Sequence, residues 1–185
     1  MKLFRFGVAL ALAAAMAGPA LAKDYDICVD PATDFALDDI GPLGFSPGDG
    51  ITAVGIIVPG GTIPTNGIGV ASCGSIASKR IGTFFVKGRV VAGLPNATAS
   101  NDLAYVDWQF RIEKGQKTGS IDTSGPVPNA AAVPLLATYP HTIVGSTGGL
   151  APAKGEIKAT ILGAGGFQLR ISVPGNGNKD KNKDD

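Results

Sequence analysis

TIVGSTGGLAPAKGEIKATILGAGGFQLRISV, residues 142–173, decides the fold. Three apolar runs are separated here by two glycine clusters, and the last run alternates. Phe167, Leu169, Ile171 and Val173 share one face, while Gln168, Arg170 and Ser172 share the other. A period of two puts successive side chains on opposite faces of a strand, with one side on a core and one in water. The clusters around Gly145, Gly148, Gly149, Gly155, Gly163, Gly165 and Gly166 supply the backbone freedom that tight connections need. The stretch therefore reads as an antiparallel meander. Downstream, GNGNKDKNKDD has no apolar residue and is expected to be disordered.

The same grammar runs upstream. Residues Asp102 to Glu113 place Ala104, Val106, Trp108, Phe110 and Ile112 on one side, and Leu103, Tyr105, Asp107, Gln109, Arg111 and Glu113 on the other. ITAVGIIV (51–58), GTFFVKGRVVAGL (82–94) and TGSIDTS (118–124) are further strands, with Gly88 a candidate bulge or bend. Residues 59–80 read as loop, apart from a short strand near Ile68 to Ala71. Gly125 to Pro140, rich in Pro and Ala, reads as a long connection of the kind that forms lids or binding segments. No stretch beyond the first residues shows a capped helical period. Some eight short strands with close turn signals predict an all-β domain over 51–173, a barrel or a sandwich, with a barrel favoured because it leaves no open edge. Such a barrel fills its interior with side chains or holds one small ligand.

The start of the chain has a different composition. Lys2 and Arg5, an apolar run and Ala20-Leu21-Ala22 predict a signal peptide over 1–22, cleaved after Ala22, with export to the periplasm or medium and no stable membrane anchor. Removing it takes away two of the 16 basic residues and none of the 15 acidic ones, so the formal charge passes from +1 to −1. That balance gives no electrostatic footprint for nucleic acid. Residues 23–50 carry seven aspartates against Lys23 and read as an irregular, solvated acidic lead-in without calcium-loop spacing. The two cysteines, Cys28 and Cys73, are expected to pair once exported. No metal-ligand spacing, phosphate loop, dinucleotide fingerprint or nucleophile elbow is present, so no metal and no cofactor are expected.

Residues 143–156, IVGSTGGLAPAKGE, resemble the glycine-rich signature of dirigent proteins and allene oxide cyclases. Gly145, Thr147, Gly148, Leu150, Ala153 and Gly155 keep its spacing, with Ser146 in place of the second glycine. GTFFVKG (82–88), LAYVDWQFRI and Gly119-Ser120-Ile121 resemble the family's other strands. The resemblance implies an eight-stranded barrel, a homo-oligomer (dimer or trimer), no cofactor, and a lumen that holds a small hydrophobic molecule during cyclisation or coupling. Two departures stand out: Ser124-Gly125-Pro126 replaces the acid after the Gly-Ser strand, and Tyr139-Pro140-His141 replaces the arginine before the glycine turn.

Thr147 is expected to serve the turn structurally. Phe84, Trp108, Phe110 and Phe167 read as core filler or as the walls of an apolar ligand pocket. His141 and Tyr139 are the candidates for acid–base work, against a plain reading of His141 as a surface residue at a loop end. Two functional readings remain open. One is an exported barrel that steers the cyclisation or coupling of a bound molecule; the other is a non-catalytic binding or structural barrel.

Overall fold

The computed structural model describes residues 23–40, 46–92, 103–115, 117–128, 135–163 and 167–175. Nine strands run in chain order: β1 (Lys23–Cys28), β2 (Phe35–Asp38), β3 (Gly50–Pro59), β4 (Gly82–Ala92), β5 (Leu103–Ile112), β6 (Gly119–Pro128), β7 (Thr138–Ser146), β8 (Glu156–Ile161) and β9 (Gln168–Val173). From β3 to β9 each strand pairs antiparallel with the next. β1 then closes the ring, pairing with β9 on one side and β3 on the other. The result is a closed eight-stranded antiparallel barrel, with β2 as an added piece.

The lead-in departs from the expectation. Lys23–Cys28 is a barrel strand, and Phe35–Asp38 continues along the same edge of β3, with residues 29–34 looping out between them. The aspartates hid this strand, because on β1 only the inward face is hydrophobic. Tyr25 and Ile27 point to the core, and Asp24 and Asp26 to the other side. The signal peptide expected over 1–22 and the tail beyond 175 lie outside the described residues, as do residues 41–45 of the lead-in.

Inward positions obey the alternation. Val106, Trp108, Phe110 and Ile112 of β5 are buried with Phe84, Ile121, Ile157, Ala159, Leu169, Ile171 and Val173, while Tyr105, Asp107, Gln109 and Arg111 face out. Gly88 sits opposite Val106 with no room for a side chain: a Cβ there would come within 2.5 Å of the Tyr105 carbonyl oxygen. The irregularity expected near it falls further on, between Val90 and Ala92.

The loop 60–81 contains a 3-10 helix, Cys73–Lys79, and no strand near Ile68. It lies as a strap over the outer face of β1, β3 and β9. Beneath it Cys28, Val58, Ile63, Ile76 and Leu162 form a second small core. This explains why β3 is apolar on both faces toward its end: Val58 points outward into the strap. The Cys28–Cys73 disulfide pins the strap, with a Cα–Cα distance of 5.6 Å. Closing 45 residues by a cross-link is worth about 4 kcal/mol on the chain-entropy account.

Two polar devices complete the strap. Asp26, fully buried, accepts from Arg170 Nε at 2.7 Å, Arg170 Nη2 at 3.1 Å and the Ile63 amide at 2.7 Å. Gln168 accepts from the Val70 amide and donates to the Val70 carbonyl, as a neighbouring strand would.

At the lower end of the barrel, Thr147 accepts a hydrogen bond from the Ser120 amide and joins the Ser120 hydroxyl at 2.9 Å, so it ties the glycine turn to β6. A Cβ at Gly119 would stand 2.1 Å from the Thr147 carbonyl oxygen. The turn and Gly119 therefore form one close-packed joint.

Candidate functional site

The segment expected as a long connection from 125 to 140 is mostly strand. β6 runs on to Pro128 and β7 begins at Thr138, so the connection shrinks to residues 129–137. Residues 129–134 of the expected lid lie outside the described residues.

The two strands pair only from Ile121↔Ser146 to Ser124↔Thr142, with a bulge that leaves Val144 outside the register. Above Ser124 and Thr142 the ladder stops, although β6 still pairs with β5 and β7 with β8. Pro126, Pro128 and Pro140 explain the break, since proline has no N–H to donate across it. The prolines that suggested a loop in the sequence thus open a gap in the barrel wall. A cleft of about 330 Å³ sits at the gap, lined by Tyr105, Ser124, Gly125, Pro126, Tyr139, Pro140, Thr142 and Glu156.

His141 lies on the inner side of this gap. It is 1% exposed, which corrects the surface reading. The alternation of β7 turns Tyr139, His141 and Ile143 inward, and the imidazole stacks on Trp108 with centroids 3.9 Å apart and planes 12° from parallel. Its Nδ1 meets the Thr123 hydroxyl at 3.5 Å, the outer limit of a hydrogen bond. Its Nε2 has no hydrogen-bond partner.

Burial pushes the His141 pKa down to about 4; the Pro126 carbonyl and the Asp107 carboxylate pull the other way and lose. At neutral pH the ring is therefore uncharged, and a neutral imidazole has one nitrogen free to accept. Tyr139, its ring 5.9 Å from both Trp108 and His141, has its phenol pushed well above the usual range by burial. A second buried polar atom without a partner is Tyr25 Oη, on β1, a residue whose chemistry the sequence did not signal.

Three of the four expected aromatic residues come together. Phe84 and Phe110 stack at 5.1 Å, and Trp108 meets both edge-on at 5.6 and 6.0 Å. Phe167 packs instead against Phe35, edge-on at 5.3 Å. The Phe84–Trp108–Phe110 group fills its part of the interior, and the cleft at the gap is lined by Tyr139 and Gly125, neighbours of the buried His141, and not by the imidazole itself. Both cysteines are consumed by the disulfide. Among the described residues no group of three His, Cys, Asp or Glu is placed to hold a metal.

What the fold defines, then, is a closed antiparallel barrel with an aromatic interior and one buried, incompletely bonded histidine. No protein-family profile matches the chain, and no curated protein does. Solved structures share the fold. The chain is similar to a pyocyanin demethylase at 18% identity and a TM-score of 0.55, over 82% of this chain and 98% of that one. It is also similar to a nonspecific heme-binding cyclase that catalyses a 4 + 2 cycloaddition in neoabyssomicin biosynthesis, at 18% identity and a TM-score of 0.50, over 82% of this chain and 62% of that one. The Diels Alderase AbmU from Streptomyces koyangensis matches at 18% identity and a TM-score of 0.52, over 88% of this chain and 74% of that one. At such identities the likeness is one of fold.

Among the described residues no helix is long and apolar enough to cross a membrane. The disulfide is compatible with an oxidising compartment.

Proposed function

We propose that the chain is an exported barrel that binds a small, largely apolar molecule and holds it for a cyclisation or coupling step, in the manner of the allene oxide cyclase and dirigent barrels that its glycine turn resembles. The observation that carries this reading is the His141–Trp108 stack, where a buried ring nitrogen lacks a hydrogen-bond partner inside an aromatic interior. Leaving a buried acceptor unpaired costs about 1–3 kcal/mol, so a ligand group that donates to this nitrogen is favoured there.

In this reading Trp108, with Phe84, Phe110 and Phe167 around the interior, supplies apolar walls. Neutral His141 takes a hydrogen bond or a proton from the ligand, and Tyr139 donates one. Rate and selectivity come from holding the bound molecule in a reactive conformation. The structural neighbours named for cyclisation and demethylation support small-molecule chemistry on this type of barrel. Residues 1–22 act as the signal peptide, and copies of the barrel associate as a dimer or trimer.

A second, non-catalytic reading draws on the dense packing of Phe84, Trp108 and Phe110. The two separate on one experiment: solvent extraction of the purified chain, with mass spectrometry of the extract. A recurrent apolar molecule that is converted on incubation supports the first reading. The same molecule recovered unchanged supports the second. An empty extract, with no change in the emission of the single tryptophan on adding candidate ligands, removes the first reading and leaves a structural barrel.

A further inference from the structure

We propose that the outer face of β4 and β5 is the surface through which two copies of this chain meet, as a dimer about a two-fold axis that runs along the strands between β4 and β5. The proposal rests on the association of copies in the reading above and adds the face, the symmetry and the residues that meet. It is independent of what the interior binds.

The outer wall of the barrel is unevenly covered. The strap and its small core lie over β1, β9 and the end of β3. On the opposite side, among the described residues, β4 and β5 turn Phe85, Lys87, Arg89, Tyr105, Asp107 and Gln109 into solvent. Further apolar side chains gather there. Val54 of β3 pairs with Phe85 and is half-exposed, and Val144, the extra residue of the β6–β7 bulge, is 65% exposed. A bulge sets one additional residue on a strand, and here that residue is a valine facing water. Phe85 and Val144 bank a groove of about 540 Å³, with Asp107, Gln109 and Asp122 on its floor. Exposed apolar groups clustered in this way mark a contact surface.

Charge and register identify the occupant. At this level of the wall the face is cationic on β4, through Lys87 and Arg89, and anionic on β5 and β6, through Asp107 and Asp122. Asp122 accepts from Gln109 Nε2 at 3.0 Å and Asp107 from the Ser124 hydroxyl at 2.6 Å. Among the described residues Lys87 and Arg89 have no hydrogen-bond or ion-pair partner. In the ladder Lys87 lies opposite Asp107, Arg89 opposite Tyr105 and Phe85 opposite Gln109. A half-turn about an axis along the strands exchanges β4 with β5 and keeps each level. Lys87 of each copy therefore comes over Asp107 of the other, Arg89 over the Tyr105 ring, and Phe85 over Gln109 in the floor of the other copy's groove. A patch of one sign would repel its own copy; this one is complementary to itself. Four strands about 4.8 Å apart and about 20 Å long present roughly 400 Å² per copy. That places the contact at the small, transient end of specific interfaces, with a Kd on the order of 10 μM. Such a contact closes at two copies, which excludes a trimer through this face.

Sedimentation velocity of the full mature chain from about 1 to 200 μM reads the association. The expected result is a reversible monomer–dimer equilibrium. Phe85→Lys weakens it about tenfold or more. Ile68→Lys, at an exposed apolar residue on the strap, leaves it unchanged. Lys87→Asp and Asp107→Lys each set like charges against one another in the self-pair and weaken it about tenfold. Mixed one to one, these two variants recover the dimer, because each then meets the opposite charge on the other. That recovery also shows that both variants are folded.

A chain that stays monomeric across the whole concentration range overturns this inference together with the association of copies. Sedimentation as a trimer, or a dimer that survives Phe85→Lys, overturns this face while the association stands. A one-to-one mixture of the charge variants that associates no better than either alone overturns the two-fold pairing.

Discussion

Asp26 and His141 are both buried polar side chains on the same barrel, one on its outer face and one on its inner face, and they are treated oppositely. Asp26, under the strap, has both carboxylate oxygens engaged by Arg170 and the Ile63 amide. His141 has the Thr123 hydroxyl at the limit of hydrogen bonding and the Pro126 carbonyl near its ring, and its Nε2 makes no hydrogen bond of ordinary geometry. The first is the pattern of a group kept for architecture: the charge is neutralised, and the same bonds hold the strap to β9. The second leaves a ring nitrogen open, and the proposed ligand-binding reading rests on it. Burial alone does not distinguish them; the state of their hydrogen bonds does.

Breaking the satisfied side has the largest expected effect. Asp26→Ala strands the Arg170 guanidinium and the Ile63 amide and costs about 3–5 kcal/mol, read as a lower urea midpoint with the strap opening to proteolysis. Trp108 emission at low urea stays native, because the strap lies on the other side of the wall. A simultaneous loss of the tryptophan signal and the strap would show that the two regions fold as one unit and erase the contrast.

Acid breaks the other side. The imidazole titrates near 4 in the fold against an ordinary value of 6.5. Between those values the unfolded chain binds the proton and the folded chain does not. The contribution is thus fully present above about pH 6.5 and is lost as pH falls toward 4, about 3 kcal/mol in all. The aspartates also titrate near the lower end, so the measurement is the difference between wild type and His141→Phe across pH 7 to 4.5. The variant keeps a ring over Trp108, lacks the orphan nitrogen and loses that part of the slope. Equal slopes would mean that the imidazole is solvated in the fold.

The smallest effect sharpens the comparison further. Thr123→Val removes the partner of His141 Nδ1 at nearly constant volume. Because that contact is already at 3.5 Å, the cost is expected to be about 1 kcal/mol or less by urea denaturation. A larger loss would place His141 among the structural groups with Asp26.

Much of the barrel was legible in the chain. Strands β5 and β9 show their inward faces as strict alternation, and the glycine turn at 145–155 marks the meander of β7 to β9. The structure departs from the sequence's local signals at β1 and at the ends of β6 and β7, for physical reasons. β1 carries aspartates at two of its three outward positions, 24 and 26, and Asp26 is buried by a strap some forty residues downstream, so its outer face does not look like a strand's. The ends of β6 and β7 carry prolines, which in most sequences announce a loop; here their other edges are paired and only the shared edge is open.

From the sequence alone follow the all-β class, the inward faces of the regular strands and the pairing of two lone cysteines, because period, turn chemistry and compartment are local or compositional properties. Tertiary structure alone decided which polar groups would be answered. The arginine that neutralises Asp26 stands 144 residues away, and the imidazole that looked like a loop-end histidine became a buried, half-bonded base. Hydrogen-bond satisfaction depends on neighbours brought together by barrel closure, and no window of residues along the chain contains them.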